Sequence, residues 1–533
     1  MAIKINNIAL SIDEDKDLLL DKVLKKLKIS KDEVKSFKII KESLDARKKH
    51  DIKYVYCVEV EHNNEEKLVK KLKDKDIKLE NPSYNAEIEF GGKELKNRPV
   101  VVGFGPAGIF AALLLAEKGY KPLVIERGED VDKRTETVDN FWKTGKLNTE
   151  SNVQFGEGGA GAFSDGKLTT RIKDTRCDYV LRELVKAGAP EEITYIAKPH
   201  VGTDLLKGVV KNIREKIKSL GGEVLFSSKL EEIKIEDGKV KSIIVNGKEI
   251  QCENLILAIG HSSRDTYEML HKVGVFMEPK AFAIGVRIEH PQELINKSQY
   301  GEMYNHPKLK AAEYRLTYQS EKLKRAVYSF CMCPGGVVVA AASENERLVS
   351  NGMSYHARDL DNANSALVVT VGPDDFEGDS PLRGMEFQRH YENLAYKLGG
   401  GNHKAPVQLV GDFMKDKVST KLGEVVPSYT AGYVFKDLRE CLPEYVVEAL
   451  KEGIMDFDKK IKGYGNYDAI LTGIETRTSA PVRMNRDENL QSVSVVGLYP
   501  AGEGAGFAGG IISAAVDGLK VAEKIIQEYK PMK

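Results

Sequence analysis

Apolar and polar residues alternate along "IKINNIALSI", which predicts a strand. In "LLLDKVLKKLKI" apolar residues recur every third or fourth place, the period of an amphipathic helix. "SFKIIKESLDARKKHDIKYVYCVEVEH" then reads as two strands around a charged turn, and "EEKLVKKLKDKDI" as a second helix. The order predicts a small α+β sandwich of ferredoxin-like type over residues 1–97, closed by the charged linker "GGKELKNRP". From Pro99 the pattern changes to an apolar strand, a glycine turn, the apolar helix "IFAALLLAEKGY" and the strand "KPLVIERG", which is a βαβ start. Residues 205–260 add the helix "LLKGVVKNIREKIKSLGG", the hairpin signal "EDGK" and the strand "NLILAIG". Short β-like runs follow, among them "AFAIGVRIEH", "AVYSFCMCP", "GGVVVAAAS" and "SALVVTV".

These elements predict an α/β protein. A discontinuous Rossmann-like dinucleotide-binding domain occupies 98–274 and 486–533, a mixed-sheet substrate domain is inserted at 275–485, and the α+β domain precedes both. One sheet assembled from distant pieces brings two glycine-rich clusters, about 400 residues apart, to the same place. Near the C-terminus, Val493 to Leu498 reads as the strand that carries the second cluster.

Composition narrows the classes. The 533 residues are 41% hydrophobic and 30% charged, with 80 basic against 80 acidic side chains, so global charge points to neither nucleic acid nor a membrane surface. Lysines of the first domain are nearly matched by acidic residues, a solvated mixed surface. The N-terminus lacks a signal-peptide pattern and no apolar run reaches membrane-spanning length, so a cytoplasmic protein is expected. Six cysteines with only Cys331 and Cys333 close together predict no disulfide framework. The ten histidines show no paired metal spacing, and no metal is expected.

The chemistry lies in the glycines. Gly103, Gly105 and Gly108 follow an apolar strand and open a helix, and Glu126 ends the next strand about twenty residues later, which is the dinucleotide fingerprint. Gly103 permits the tight turn, Gly105 admits a pyrophosphate to the backbone, and Gly108 lets helix and strand pack closely. Glu126 is expected on the ribose hydroxyls. At the other end, "GLYPAGEGAGFAGGI" leads into the helix "IISAAVDGLKVAEKIIQEY". A helix N-terminus there favours the negative charge that a flavin gains near N1 and its C2 carbonyl on reduction. Glu503 is placed for the ribityl hydroxyls, so FAD is the expected cofactor. No second fingerprint is present, which argues against a built-in nicotinamide domain; transient NAD(P)H over the flavin stays open.

"VVVGFGPAG", "VIERG", "LILAIGHS" and "GLYPAGEGAGFAGG" resemble the two-dinucleotide-binding-domain flavoproteins. More narrowly, "QFGEGGAGAFSDGKLTTR", "AIGHSSRDTYEML", "FCMCPGGVVV" and "GIETRTSAPVRM" resemble a bacterial family of FAD-dependent dehydrogenases, NAD(P)/FAD-dependent oxidoreductases with a ferredoxin-like domain in front. The resemblance spans nearly the whole chain. It implies FAD contacts at Gly103, Gly105, Pro106, Ala107, Gly108, Glu126, Arg127, Ala258, Gly260, Gly502, Glu503, Gly510 and Ile511, and it leaves the substrate open. The wider class commonly carries Asp where this chain has Glu503.

"GAFSDGKL" nearly spells a phosphate-binding loop but ends in Leu168, which has no hydroxyl for magnesium. A glycine-rich segment along the flavin or pyrophosphate is expected instead, with Gly158 and Gly159 at the cofactor and Lys167 and Arg171 free for an acidic substrate. His261, after "LILAIG", is a candidate proton donor or a loop-packing residue. Arg477 and Arg287 are candidates for carboxylate binding or for structural ion pairs. Cys331 and Cys333 are either a dithiol relay beside the flavin or packing residues. The leading expectation is an FAD-dependent oxidoreductase acting on a small molecule. An RNA-modifying flavoprotein and an electron-transfer or sensor protein with a protein partner are the alternatives.

Overall fold

The computed structural model describes residues 2–80 and 88–532; the stretch 81–87, inside the expected first domain, lies outside the described residues. At the N-terminus the strands Ala2–Ser11, Val34–Asp45, Lys53–His62 and Ile77–Glu80 form a four-stranded sheet in the order second, third, first, fourth, every neighbour antiparallel. Alternation makes Ile3 and Ile5 face Leu19, Val23 and Leu27 of the helix Leu18–Leu27, and all five are buried. The outer strand Val34–Asp45 is covered rather than open. Glu42 donates its N–H to the Tyr195 carbonyl and accepts from Ala197, both at 2.8 Å. Ile12 and Ile52 reach across into the core of the large sheet, so this module is packed onto the rest of the chain.

A five-stranded parallel sheet follows, assembled from Leu498–Pro500, Leu255–Leu257, Val100–Val102, Leu123–Ile125 and Glu223–Leu225 in that order across the sheet. The helix Pro106–Glu117 is apolar on every side because it lies between this sheet and the C-terminal helix Ile511–Glu528, and only its ends escape burial. The last strand begins at Leu498, later than its apolar pattern suggests. Its pairing is limited to the three residues of Leu255–Leu257, while Val493 and Val496, each 53% exposed, belong to a turn closed by the Ser492 N–H on the Leu498 carbonyl.

The large sheet has seven strands, with Phe282–Pro291 at its centre between Asn362–Val371 and Ile470–Glu475. Ile284, Val286 and Ile288 pack into a core that includes Val446, Val447 and Leu450 of the helix Glu444–Lys460. The intervening Ala283, Gly285 and Arg287 therefore face the opposite side, where the parallel sheet presents its glycine turns. Among the described residues, no helix is long and apolar enough to cross a membrane.

Candidate active site

Between the parallel sheet and that face of the large sheet lies a cavity of about 400 Å³, in the usual range for small-molecule sites. At one end stand Glu126, Arg127 and Ser228; Gly103, Gly105, Pro106, Ala107 and Gly159 line the middle; Phe330, Cys331, Thr478 and Glu503 close the other end.

The first glycine cluster is shaped by what a side chain would strike. Gly103 has φ +98°, and a Cβ there would enter the Ala258 carbonyl; a Cβ on Gly108 would enter the carbonyl of Gly103. Gly105 differs. Its φ is −84°, and an added Cβ would meet only the Gly159 Cα, at an ordinary 3.6 Å, so its bareness keeps cavity space free rather than relieving a clash. It is the N-cap of Pro106–Glu117, whose proline at the first turn has no N–H to leave unpaired. The free N–H groups of that turn face the cavity, as an anionic pyrophosphate requires.

Glu126, 5% exposed, accepts from the backbone N–H groups of Phe104 (2.8 Å), Gly128 (2.9 Å) and Gly156 (2.9 Å). A carboxylate has about four acceptor positions. Three are used in clamping two loops together, which leaves one for a ribose hydroxyl. Arg127 pairs with Glu150 and Asp265 and lies 4.2 Å over the ring of Phe155, forming a flat wall at that end. The loop carrying Gly159 is held from below by Arg134, fully buried, which donates to the carbonyls of Asn152 and Val153 at 2.9 and 3.0 Å and to that of Glu157. Three of the loop's glycines, Gly156, Gly158 and Gly159, have positive φ, which fits the sharp path.

At the second cluster, Gly510 caps the helix Ile511–Glu528 and lines the cavity with Ile511, Ala258, Gly260 and Glu503. Burial pushes the Glu503 carboxyl up to about 7; Lys280 works against the rise and the Cys331 sulfur adds to it. Gly502 points away from the cavity. Its N–H is held by Asp517 at 2.7 Å, and a Cβ would press on that of Ala107, so its bareness serves packing between the two helices. Gly108 and Gly158 likewise stand behind the wall, the latter against Ala162 and Val210.

The other half of the cavity is built from buried charge. Arg477, a candidate for carboxylate binding or for a structural ion pair, donates to both oxygens of Glu392 (3.1 and 3.0 Å) and to Ser262 and Ser343 (2.9 and 2.6 Å). Arg264 makes a second pair of bonds to Glu392 at 2.7 and 2.8 Å. Burial works to raise the Glu392 carboxyl, but Arg264 and Arg477 overcome it and hold it far below the usual range. Arg287 is wholly buried and bonded to Glu475, Asn364, Asn351 and the Cys331 carbonyl. Both arginines are thus ion-pair partners, not free substrate anchors. His261 lines the cavity and bonds Ser262 through Nδ1 at 2.8 Å. Burial, then Arg477 and Arg264, push it down to about 3, so near neutral pH it is an uncharged imidazole and not a cationic acid.

Lys167 lines the cavity with its amine on the Met332 carbonyl and 3.7 Å from Glu313. Arg171 is exposed and outside the wall. The half-buried Cys331 lines the cavity; Cys333 is buried behind it. Asn351 and Glu475 line the cavity and Glu392 and Arg264 support Arg477 from behind; sequence reasoning finds none of the four. They come together from distant segments, and no local spacing announces them.

The match to known proteins agrees with this arrangement. Residues 97–275 match the pyridine nucleotide-disulphide oxidoreductase family, residues 281–478 the family described as FAD-dependent protein, C-terminal domain-like, and residues 2–61 a domain of unknown function, DUF8436. The chain is therefore an FAD flavoprotein of oxidoreductase type. It belongs to the family of an uncharacterized protein of Clostridium beijerinckii, with which it is 74% identical over 529 residues, 99% of each chain. Among solved structures, L-proline dehydrogenase from P. horikoshii matches at 14% identity and a TM-score of 0.33, covering 81% of this chain and 93% of that one. CtdE in complex with FAD matches at 14% identity and 0.31, covering 79% and 82%. These two likenesses are remote.

Proposed function

We propose that the protein exchanges a hydride between FAD and a small-molecule substrate held against the large sheet. The observation that carries this reading is the two-sided cavity. One side has the bare glycine backbone, helix N-termini and buried carboxylate that suit a dinucleotide, and the other has polar side chains with space between them. When bound, FAD supplies the hydride chemistry at its isoalloxazine ring, which the protein must orient and shield from water.

The chain's own residues divide the work. Gly105 and Gly159 leave room for the pyrophosphate, Glu126 fixes both loops and has one acceptor position left for the ribose, and Glu503 faces the ribityl end. Lys167 is the cation nearest the substrate side whose ion pair is loose, and we assign it to anchoring an anionic group. Glu392, Arg264 and Arg477 form a rigid base that sets the position of Ser262 and His261. The neutral imidazole can donate or accept one hydrogen bond without changing charge. The N-terminal unit, whose strand order and paired helices support a ferredoxin-like reading, packs against Lys308 and Tyr195.

The test is an anaerobic mixing experiment that follows the oxidised flavin band of the purified protein with NADH, NADPH and a panel of amine and hydroxy-acid donors. Bleaching by any of them at a catalytically useful rate supports the reading. A flavin that none of these reduces, and that after chemical reduction passes electrons only to a protein partner, would replace it with the electron-carrier alternative.

A further inference from the structure

The strand Ala326–Cys333 pairs in even register with Asn362–Val371 from Val327 opposite Val369 to Phe330 opposite Ala366, then resumes at Cys333 opposite Asn364, one residue out of step. This is a bulge, a device that re-aims side chains at the edge of a site. Cys331 sits in it with φ +42°, a conformation rarely adopted by a residue with a side chain. The bulge is pinned from below. Arg287 donates to the Cys331 carbonyl at 3.1 Å, and Lys167 to that of Met332. The result is two sulfurs brought together at the cavity wall. Cys331 lines the cavity and Cys333 stands behind it, with its thiol 3.4 Å from the Cys331 carbonyl. A hydrogen bond from Cys333 holds the Cys331 thiol low; burial opposes this, and Arg287 and Lys167 support it, while the Cys333 thiol is pushed up. The two sulfurs are thus unequal, Cys331 being the one whose anion Arg287 and Lys167 favour, as the leaving sulfur of a disulfide requires.

We propose that Cys331 and Cys333 form a dithiol–disulfide couple that exchanges two electrons with the flavin. In the reducing direction, reduced flavin (FADH⁻) gives up two electrons and one proton and becomes FAD. The electrons break the S–S bond, the proton goes to the Cys333 sulfur, and Cys331 is released as the thiolate that Arg287 and Lys167 stabilise. The reverse step oxidises the pair and reduces FAD. Cys331, the half-buried member, is the sulfur an incoming small-molecule disulfide meets, so the substrate class is a low-molecular-weight thiol or disulfide.

This inference rests on the reading of the cavity as the flavin site, and the experiment separates the two. The FAD-loaded protein is oxidised with diamide, freed of it, and titrated anaerobically with dithionite; thiols are counted after denaturation and mapped by peptide mass. The expected result is loss of two of the six thiols, a Cys331–Cys333 link, and uptake of four electrons per FAD. Cys331→Ser and Cys333→Ser should each take up two. Six thiols remaining in the oxidised wild type, a link mapped elsewhere, or two electrons per FAD would overturn the couple. The wild-type measurements decide even where a serine variant fails to fold. A protein that closes the link but never binds FAD would defeat the cavity reading instead.

Discussion

The two halves of the cavity are made in opposite ways. Around Gly103, Gly105 and Glu126 the wall is backbone, shaped by the absence of side chains and held by carboxylate-to-amide bonds within about fifty residues of chain. Around Arg477, Arg264 and Arg287 the wall is backed by buried charge, gathered from segments 85, 128 and 188 residues apart in the chain. The first kind of wall shapes space for a ligand. The second kind is rigid because each charge depends on its partner, and little of it is free to bind anything.

The contrast predicts how each half fails. The largest effect belongs to the charged wall. Glu392→Ala leaves the buried Arg477 guanidinium without its carboxylate and Arg264 with Glu344 alone, and breaking a buried pair in this way costs about 3–5 kcal/mol. Urea denaturation of the variant should show it; a midpoint close to wild type would mean the ion pairs are not the wall's support. Next comes the glycine that packs. Gly108→Val drives its side chain into the Gly103 carbonyl, so the thermal unfolding of the cofactor-stripped protein should fall along with FAD content.

Glu126→Gln is smaller. It turns an amide N–H₂ toward a backbone N–H that had an acceptor, at a cost of about 1–3 kcal/mol, and FAD titration by fluorescence quenching should show weaker binding by about tenfold or more, where 1.4 kcal/mol is a factor of ten. Binding unchanged from wild type would remove Glu126 from the cofactor's support. The smallest effect is at Glu503. Its carboxyl is raised in the fold from an ordinary 4.5 to about 7, so the folded state holds its proton more tightly than the unfolded state. Its contribution is intact below about pH 4.5 and is lost as pH rises through about 7. Glu503→Gln should flatten that part of the stability–pH profile of the cofactor-stripped protein. A profile parallel to wild type would place the carboxyl in water.

What the sequence makes legible follows the same division. The turn from Gly103 to Gly108 can be read because its geometry is fixed by neighbours in sequence, and Glu126 because one helix and one strand separate it from that turn. Gly108 is legible as a packing glycine from its place in the fingerprint, but the role of Gly502 is less visible, since a packing glycine and a ligand-facing glycine look alike until the opposing atoms are known. Arg477 and Arg287 read equally well as anchors or ion pairs because their partners, Glu392 and Glu475, are selected by tertiary contact; in the case of Arg287 even strand alternation gives the face but not the occupant. The strand expected over Val493 to Leu498 begins only at Leu498 because its partner is short, which apolar pattern alone does not reveal.

The central claim is that the first glycine cluster holds the cofactor in this cavity, and Gly105→Val tests it most directly. A Cβ there meets no protein atom closer than 3.6 Å, so the account predicts a variant that unfolds near the temperature of the cofactor-stripped wild type and is purified without FAD. A variant that remains fully loaded with FAD would contradict the placement of the pyrophosphate.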